Sequence, residues 1–307
     1  MPVFCLLLAS LGCISADSAR TYQVGLASAE SLSVTEEGAG QPVVLIPGLF
    51  GSAYTYRKVM PLLAERGYRA IVIEPLGIGF SGRPEKADYS LTAQAARLAE
   101  TIDQLGLQEV VLIGHSVGAS IAYRIAISRP DLVRAVVSVE GGAAETAMTQ
   151  GSRSAMRFIP WVKWLGGMKL IRGRIRKGLY ETGGDTTWVT DEVVNGYAAG
   201  AAVDLDRTLK AMRAMARAKE PEQLKPRLPE VRAPLLVLKG SISKGGIPPD
   251  EVAALAAAVP VFRLDTVPES GLYIQEVRPV AIVDAVASVL TMGREQLASP
   301  EGGEAVR

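Results

Sequence analysis

Ile113-Gly114-His115-Ser116-Val117-Gly118 is the stretch that decides the fold of this 307-residue chain. The run before it, Val110-Val111-Leu112-Ile113, is apolar and largely β-branched, as a buried strand requires. The run after it, Ala119-Ser120-Ile121-Ala122-Tyr123, suits a helix. A G-x-S-x-G pattern between a strand and a helix places a serine nucleophile on a sharp, strained turn. The flanking glycines follow from that geometry, because a side chain at either position would meet the neighbouring strand or helix. The backbone N–H groups that open the helix point at whatever sits above Ser116.

Around this turn the chain is of ordinary globular composition, 48% hydrophobic and 21% charged, with ample core for one large α/β domain carrying an insertion. A net charge of +1 argues against a general nucleic-acid-binding or membrane-surface role for the whole protein. The first twenty residues differ. Val3 to Gly12 is an apolar run of signal-peptide length, followed by small residues around Ala16 to Ala19, without a basic segment before it. Residues 1–20 are therefore expected to be a signal peptide or lipoprotein signal, and the protein to be exported; the alternative is a buried N-terminal helix in a cytoplasmic protein. Cleavage between about Ser10 and Arg20 is the expected processing, checked by the N-terminal mass of protein from its host. Both cysteines, Cys5 and Cys13, lie in this segment, so the mature chain would hold no disulfide.

Strands alternate with helices along the rest. Ser31 to Glu37 reads as an edge strand beside one near Tyr22 to Gly25. Buried strands follow at Pro42–Ile46, Arg69–Ile73, Val110–Ile113 and Ala135–Val139, then at Pro234–Lys239 and Val261–Asp265. Helices are expected at Tyr56–Glu65, Thr92–Leu105, Asp250–Ala258 and Pro279–Leu290, besides the one after Ser116. This order predicts an α/β fold, a doubly wound and mostly parallel sheet with right-handed crossovers. Residues 21–140 and 230–292 form the core, 141–229 an inserted helical cap without strand signal, and 293–307 a flexible tail.

All three tryptophans, Trp161, Trp164 and Trp188, fall in the cap stretch. From Ala147 to Tyr180 it carries Arg153, Arg157, Lys163, Lys169, Arg172, Arg174, Arg176 and Lys177 and no acid. Two readings stand: a lid that makes weak contact with an anionic lipid surface, or a solvated basic helix whose tryptophans pack over the core.

From about Gln41 to Leu290 the chain resembles the α/β-hydrolase superfamily, esterase- or lipase-like, with a helical cap after the sixth strand. The resemblance rests on Val43-Val44-Leu45-Ile46-Pro47-Gly48, Gly77-Ile78-Gly79-Phe80-Ser81, Gly114-His115-Ser116-Val117-Gly118 and Gly271-Leu272-Tyr273-Ile274-Gln275-Glu276. It implies that Ser116 stands at the nucleophile position, with the N–H groups of Leu49 and Val117 as the oxyanion hole. It also exposes departures. Members usually carry H-G where this chain has Pro47-Gly48. Ser243 stands where the triad Asp is usual, and Leu272 where the catalytic His is usual.

The only histidine is His115. It precedes the serine on the strand, and alternation turns it away, under the turn and out of reach of the Ser116 hydroxyl. Glu140, at the end of the sixth strand, is a candidate acid, or else a strand-end carboxylate satisfied by nearby N–H groups. Lys244 is chemically able to serve as an unorthodox base only if desolvated. No metal or nucleotide cofactor site is visible: histidines and cysteines do not cluster, and Gly77-x-Gly79 lacks the rest of a dinucleotide fingerprint. Three functional readings follow: a hydrolase homologue with a degenerate triad that binds a small apolar or ester-like ligand and hydrolyses it weakly or not at all; an active carboxylic-ester hydrolase with an unorthodox base; or a non-catalytic interaction protein acting through its basic cap.

Overall fold

A computed structural model of the protein describes residues 19–148, 153, 166–182 and 184–298. The N-terminal apolar run, Cys5, Cys13, Arg157, Trp161, Lys163 and Trp164 lie outside the described residues.

Eight strands form one sheet: β1 (Arg20–Gly25), β2 (Ser31–Glu37), β3 (Gln41–Ile46), β4 (Tyr68–Ile73), β5 (Val110–His115), β6 (Val133–Val139), β7 (Leu235–Gly240) and β8 (Phe262–Val267). Their order is β1-β2-β4-β3-β5-β6-β7-β8. The first two strands pair antiparallel, β2 pairs antiparallel with β4, and every later neighbour is parallel. Every residue of β5 is buried, which explains its unbroken apolar run: a central parallel strand has no solvent face.

Helices cover both faces. On one side α2 (Leu91–Gln104) and α3 (Val117–Ser128) bury Leu98, Ile102, Ile121 and Tyr123 against Val44, Ile71 and Leu112. On the other, α1 (Met60–Glu65) and the last helix of the chain (Pro279–Ala298) bury Leu63, Ile282 and Val286 against Leu45, Val72 and Ile113. Alternate residues of the same strands thus feed two separate cores.

Three sequence expectations need correction. The expected helix over Tyr56–Glu65 is two pieces, a 3-10 turn at Ala53–Tyr56 and then α1, because Pro61 lacks an N–H and fits only the first turn of a helix. The C-terminal helix continues past Leu290 to Ala298, so residues 293–298, read as tail, belong to it. A short helix at Ile274–Val277 was not expected at all.

Between β6 and β7 the described residues contain helices and no strand: α4 (Met168–Glu181), α5 (Asp191–Val203), α6 (Leu205–Arg217) and a 3-10 turn at Lys225–Glu230. In chain order the later helices are α7 (Pro249–Ala258), α8 (Ile274–Val277) and α9 (Pro279–Ala298). Leu179, Val189, Val193, Val194 and Tyr197 give the inserted helices a small core of their own. They dock on the sheet through close backbone approach. A Cβ on Gly200 of α5 would lie 2.4 Å from the Gly79 carbonyl oxygen, and Arg83 donates to that oxygen and to Gly200 O (3.0 Å).

This contact decides the sign of a substitution. Alanine is the better helix former by about 1 kcal/mol. Gly178→Ala, where a Cβ meets nothing within 4 Å, should raise stability by about 0.5–1 kcal/mol in chemical denaturation. Gly200→Ala should lower it by on the order of 1–3 kcal/mol, since the clash is with backbone. Equal gains at both positions would show that α5 does not rest on Gly79.

Candidate active site around Ser116

Ser116 joins β5 to α3 at φ 52°, ψ −123°, left-handed backbone that an L side chain rarely adopts. The surrounding packing enforces it. A Cβ at Gly114 would lie 2.4 Å from Ala119 N, one at Gly118 2.4 Å from Ile46 O, and one at Gly141 2.5 Å from Ser116 O. Ser116 N donates to Val139 O (3.0 Å) and Ala119 N to Ser116 O (3.0 Å), tying the turn to the end of β6 and to its own helix. The Ser116 hydroxyl does not cap α3 and the residue is half-buried. As the first helical residue, Val117 has no intrahelical acceptor for its N–H.

The loop after β3 lies alongside. A Cβ on Gly48 would come within 3.4 Å of Ser116 Cβ, so this loop rests against the serine turn. Gly51 N donates to Gly48 O (2.9 Å) and the buried Tyr56 hydroxyl donates to Ile46 O (2.9 Å), which fixes the loop. A third tie went unnoticed in the sequence. Glu74, at the end of β4 and 1% exposed, accepts from Ala53 N (2.8 Å) and from Phe80 N. Burial pushes its carboxyl up to about 7, against the pull of those N–H groups. A carboxylate closing an apolar strand just before Gly77-x-Gly79 was the available signal.

Glu140, Ser243 and the loop of Leu272 lie close together. Glu140 is left-handed (φ 53°) and 2% exposed; its carboxylate accepts from Gly240 N (2.5 Å) and Ile247 N (3.2 Å). Burial holds its carboxyl above the usual range, opposed by the Gly240 N–H. Ser243 occupies the same corner: a Cβ on Gly246 would meet Glu140 Oε2 at 1.8 Å and Ser243 Oγ at 2.6 Å. The corner adjoins the loop of Leu272, since a Cβ on Gly240 would lie 2.7 Å from Gly271 O. Lys244 is exposed, so nothing strips its ammonium of water as a general base would require.

His115 is 5% exposed, and its Nε2 lies 3.1 Å from Leu272 O. A carbonyl only accepts, so Nε2 carries the proton and the ring is the neutral Nε2–H tautomer. Nδ1 faces Gly48, 3.3 Å from where a Cβ would sit. The only imidazole therefore props the loop that carries Leu272. Tyr273 stacks on it at 5.6 Å between ring centres and also touches Trp188 (5.8 Å) and Tyr197 (5.9 Å), an aromatic wall that sequence analysis did not assemble. Glu276 anchors the same segment, accepting from Arg57 at 2.6 and 2.9 Å and from the Tyr197 hydroxyl at 2.9 Å.

Burial lowers the His115 imidazole from 6.5 to about 4. The unfolded chain then binds a proton first as pH falls, so the His115 contribution to stability drops between pH 6.5 and about 4 by on the order of 3 kcal/mol, opposed over much of that range by Glu74, whose raised carboxyl takes up its proton first in the folded chain. His115→Gln, which keeps an N–H donor, should remove that step from the stability–pH curve. An imidazole NMR signal that titrates like free histidine would contradict this environment.

A family model for the α/β hydrolase fold matches residues 41–165. An epoxide hydrolase from Caballeronia sordidicola is 37% identical over 125 residues, 40% of this chain and 37% of that protein. The alignment thus spans well under half the length of that relative. An uncharacterised hydrolase, YugF, from Bacillus subtilis is 26% identical over 258 residues, 81% of this chain and 90% of that one. Among solved structures, Cfl2 from Burkholderia cenocepacia superposes with a TM-score of 0.73 at 23% identity, over 89% of this chain and 96% of that one. Sheet order, the placement of the serine turn and the family match agree: this chain is an α/β-hydrolase-fold protein.

Proposed function

We propose that this protein keeps the nucleophile turn and oxyanion donors of its fold but has a degenerate triad, and that it binds a small apolar or ester-like ligand over Ser116 with weak or no hydrolysis. One observation carries this reading. Leu272 stands at the position of the base, and the chain's single histidine is buried beneath it, donating to the Leu272 carbonyl at 3.1 Å. Ser116 is then a hydroxyl with nothing to take its proton, at an oxyanion site formed by Leu49 N and Val117 N. Losing a triad member lowers the rate by on the order of 10⁴–10⁶, while oxyanion donors and binding alone retain about 10³–10⁴ over water. Similarity to a protein named as an epoxide hydrolase supports a small apolar ligand.

Restoring the base tests this. Wild type should turn over short p-nitrophenyl esters barely above background and label poorly with a fluorophosphonate probe. Leu272→His should raise turnover by up to about 10²–10⁴, with Glu140 as the orienting acid. Adding Ser243→Asp should reduce that gain, because it places a second carboxylate beside Glu140, and Glu140→Gln in the same chain should recover it. Ser116→Ala should abolish all of it. Brisk Ser116-dependent turnover by wild type would falsify the proposal.

A further inference from the structure

We propose that the outward face of α4 docks the protein onto an anionic lipid surface. The helix spans Met168–Glu181 and turns Leu179 inward, onto Val193, Val194 and Tyr197. Lys169, Arg172, Arg174 and Lys177 are exposed, and Tyr180 is 47% exposed beside them. Arg176 pairs with Asp191 and Lys177 with Glu181 (3.5 Å). Lys169, Arg172 and Arg174 have no carboxylate partner among the described residues. The chain as a whole carries only +1, so this face is a local concentration of charge rather than a share of a basic protein.

The chemistry favours a lipid surface. Three unpaired point charges within about 8 Å of helix, on long flexible side chains, suit a cluster of anionic headgroups. The exposed tyrosine has an apolar ring and a polar tip, as groups at a membrane–water interface do. A nucleic-acid strand would be gripped by aromatic rings interleaved with the charges, and α4 has a single ring at one end.

Docking here has a consequence for the site. Thr182 follows α4 directly, and its carbonyl accepts from both Lys244 N (3.0 Å) and Leu272 N (3.3 Å). The basic face is thus one hydrogen bond away from the loops at the acid and base positions. A bound membrane would hold those loops close to its surface, whether or not Ser116 turns anything over.

Co-sedimentation of the full chain with vesicles tests the proposal. The protein should bind phosphatidylcholine vesicles containing phosphatidylglycerol and not vesicles of phosphatidylcholine alone. Raising salt to about 1 M, where the Debye length is about 3 Å, should release it. Lys169→Gln/Arg172→Gln/Arg174→Gln should weaken partitioning about a hundredfold, at about fivefold per charge, with an unchanged melting temperature. Lys86→Gln/Lys219→Gln/Arg232→Gln, which removes the same charge from exposed positions elsewhere, should bind as wild type does. The proposal is overturned if the glutamine variant partitions like wild type, if both vesicle types bind equally, or if duplex nucleic acid at the same charge concentration displaces the vesicles.

Discussion

Four segments of backbone meet at van der Waals distance beneath Ser116: the end of β3, the end of β5, the first turn of α3 and the Gly141 corner after β6. Most of the site geometry depends on that convergence. It forces Ser116 into left-handed backbone, leaves room only for glycine at positions 114, 118 and 141, and aims the start of α3 at the space above the hydroxyl. The local strain, of order 1–3 kcal/mol, is offset by two large apolar cores that share the same strands. Neither face of the sheet can shift without unpacking the other.

Loops around this centre are held by buried carboxylates rather than by apolar contact. Glu74 joins the loops after β3 and β4, Glu140 joins the ends of β6 and β7, and Glu276 joins α8 to Arg57 and to Tyr197 of α5. Burying a carboxylate is costly unless its oxygens are satisfied, and each of these accepts from backbone N–H groups or a bidentate guanidinium. Loop backbone cannot pair as a strand does, so a side-chain acceptor that reaches two loops at once replaces the missing ladder. Glu140 is accordingly fixed as a structural clamp between the end of β6 and the loop after β7.

His115 shows how one residue type changes meaning with its surroundings. Exposed beside the serine it would be a base; under the turn, neutral and donating to Leu272 O, it props a loop. The aromatic wall of Tyr273, Trp188 and Tyr197 extends that prop into the inserted helices. The inserted helices are therefore linked, through one ring stack and one hydrogen bond, to the strand that carries Ser116.

Alternation and punctuation made most of the fold legible. Unbroken apolar runs marked the buried parallel strands, and G-x-S-x-G placed the serine turn, because both are local patterns with a single physical solution. The composition also determined that only one imidazole exists, and its position on a strand placed it under the turn. Pro61 carried the signal that splits the expected helix at Tyr56–Glu65, but the segment's apolar periodicity masked it. Tertiary structure alone decided the rest. That Glu140 and Ser243 share a corner, that Glu74 clasps two loops, and that Tyr273, Trp188 and Tyr197 form a wall depends on contacts between residues far apart in the chain. Such contacts leave no periodic trace in sequence; they exist only once the sheet has set the distance between its loops.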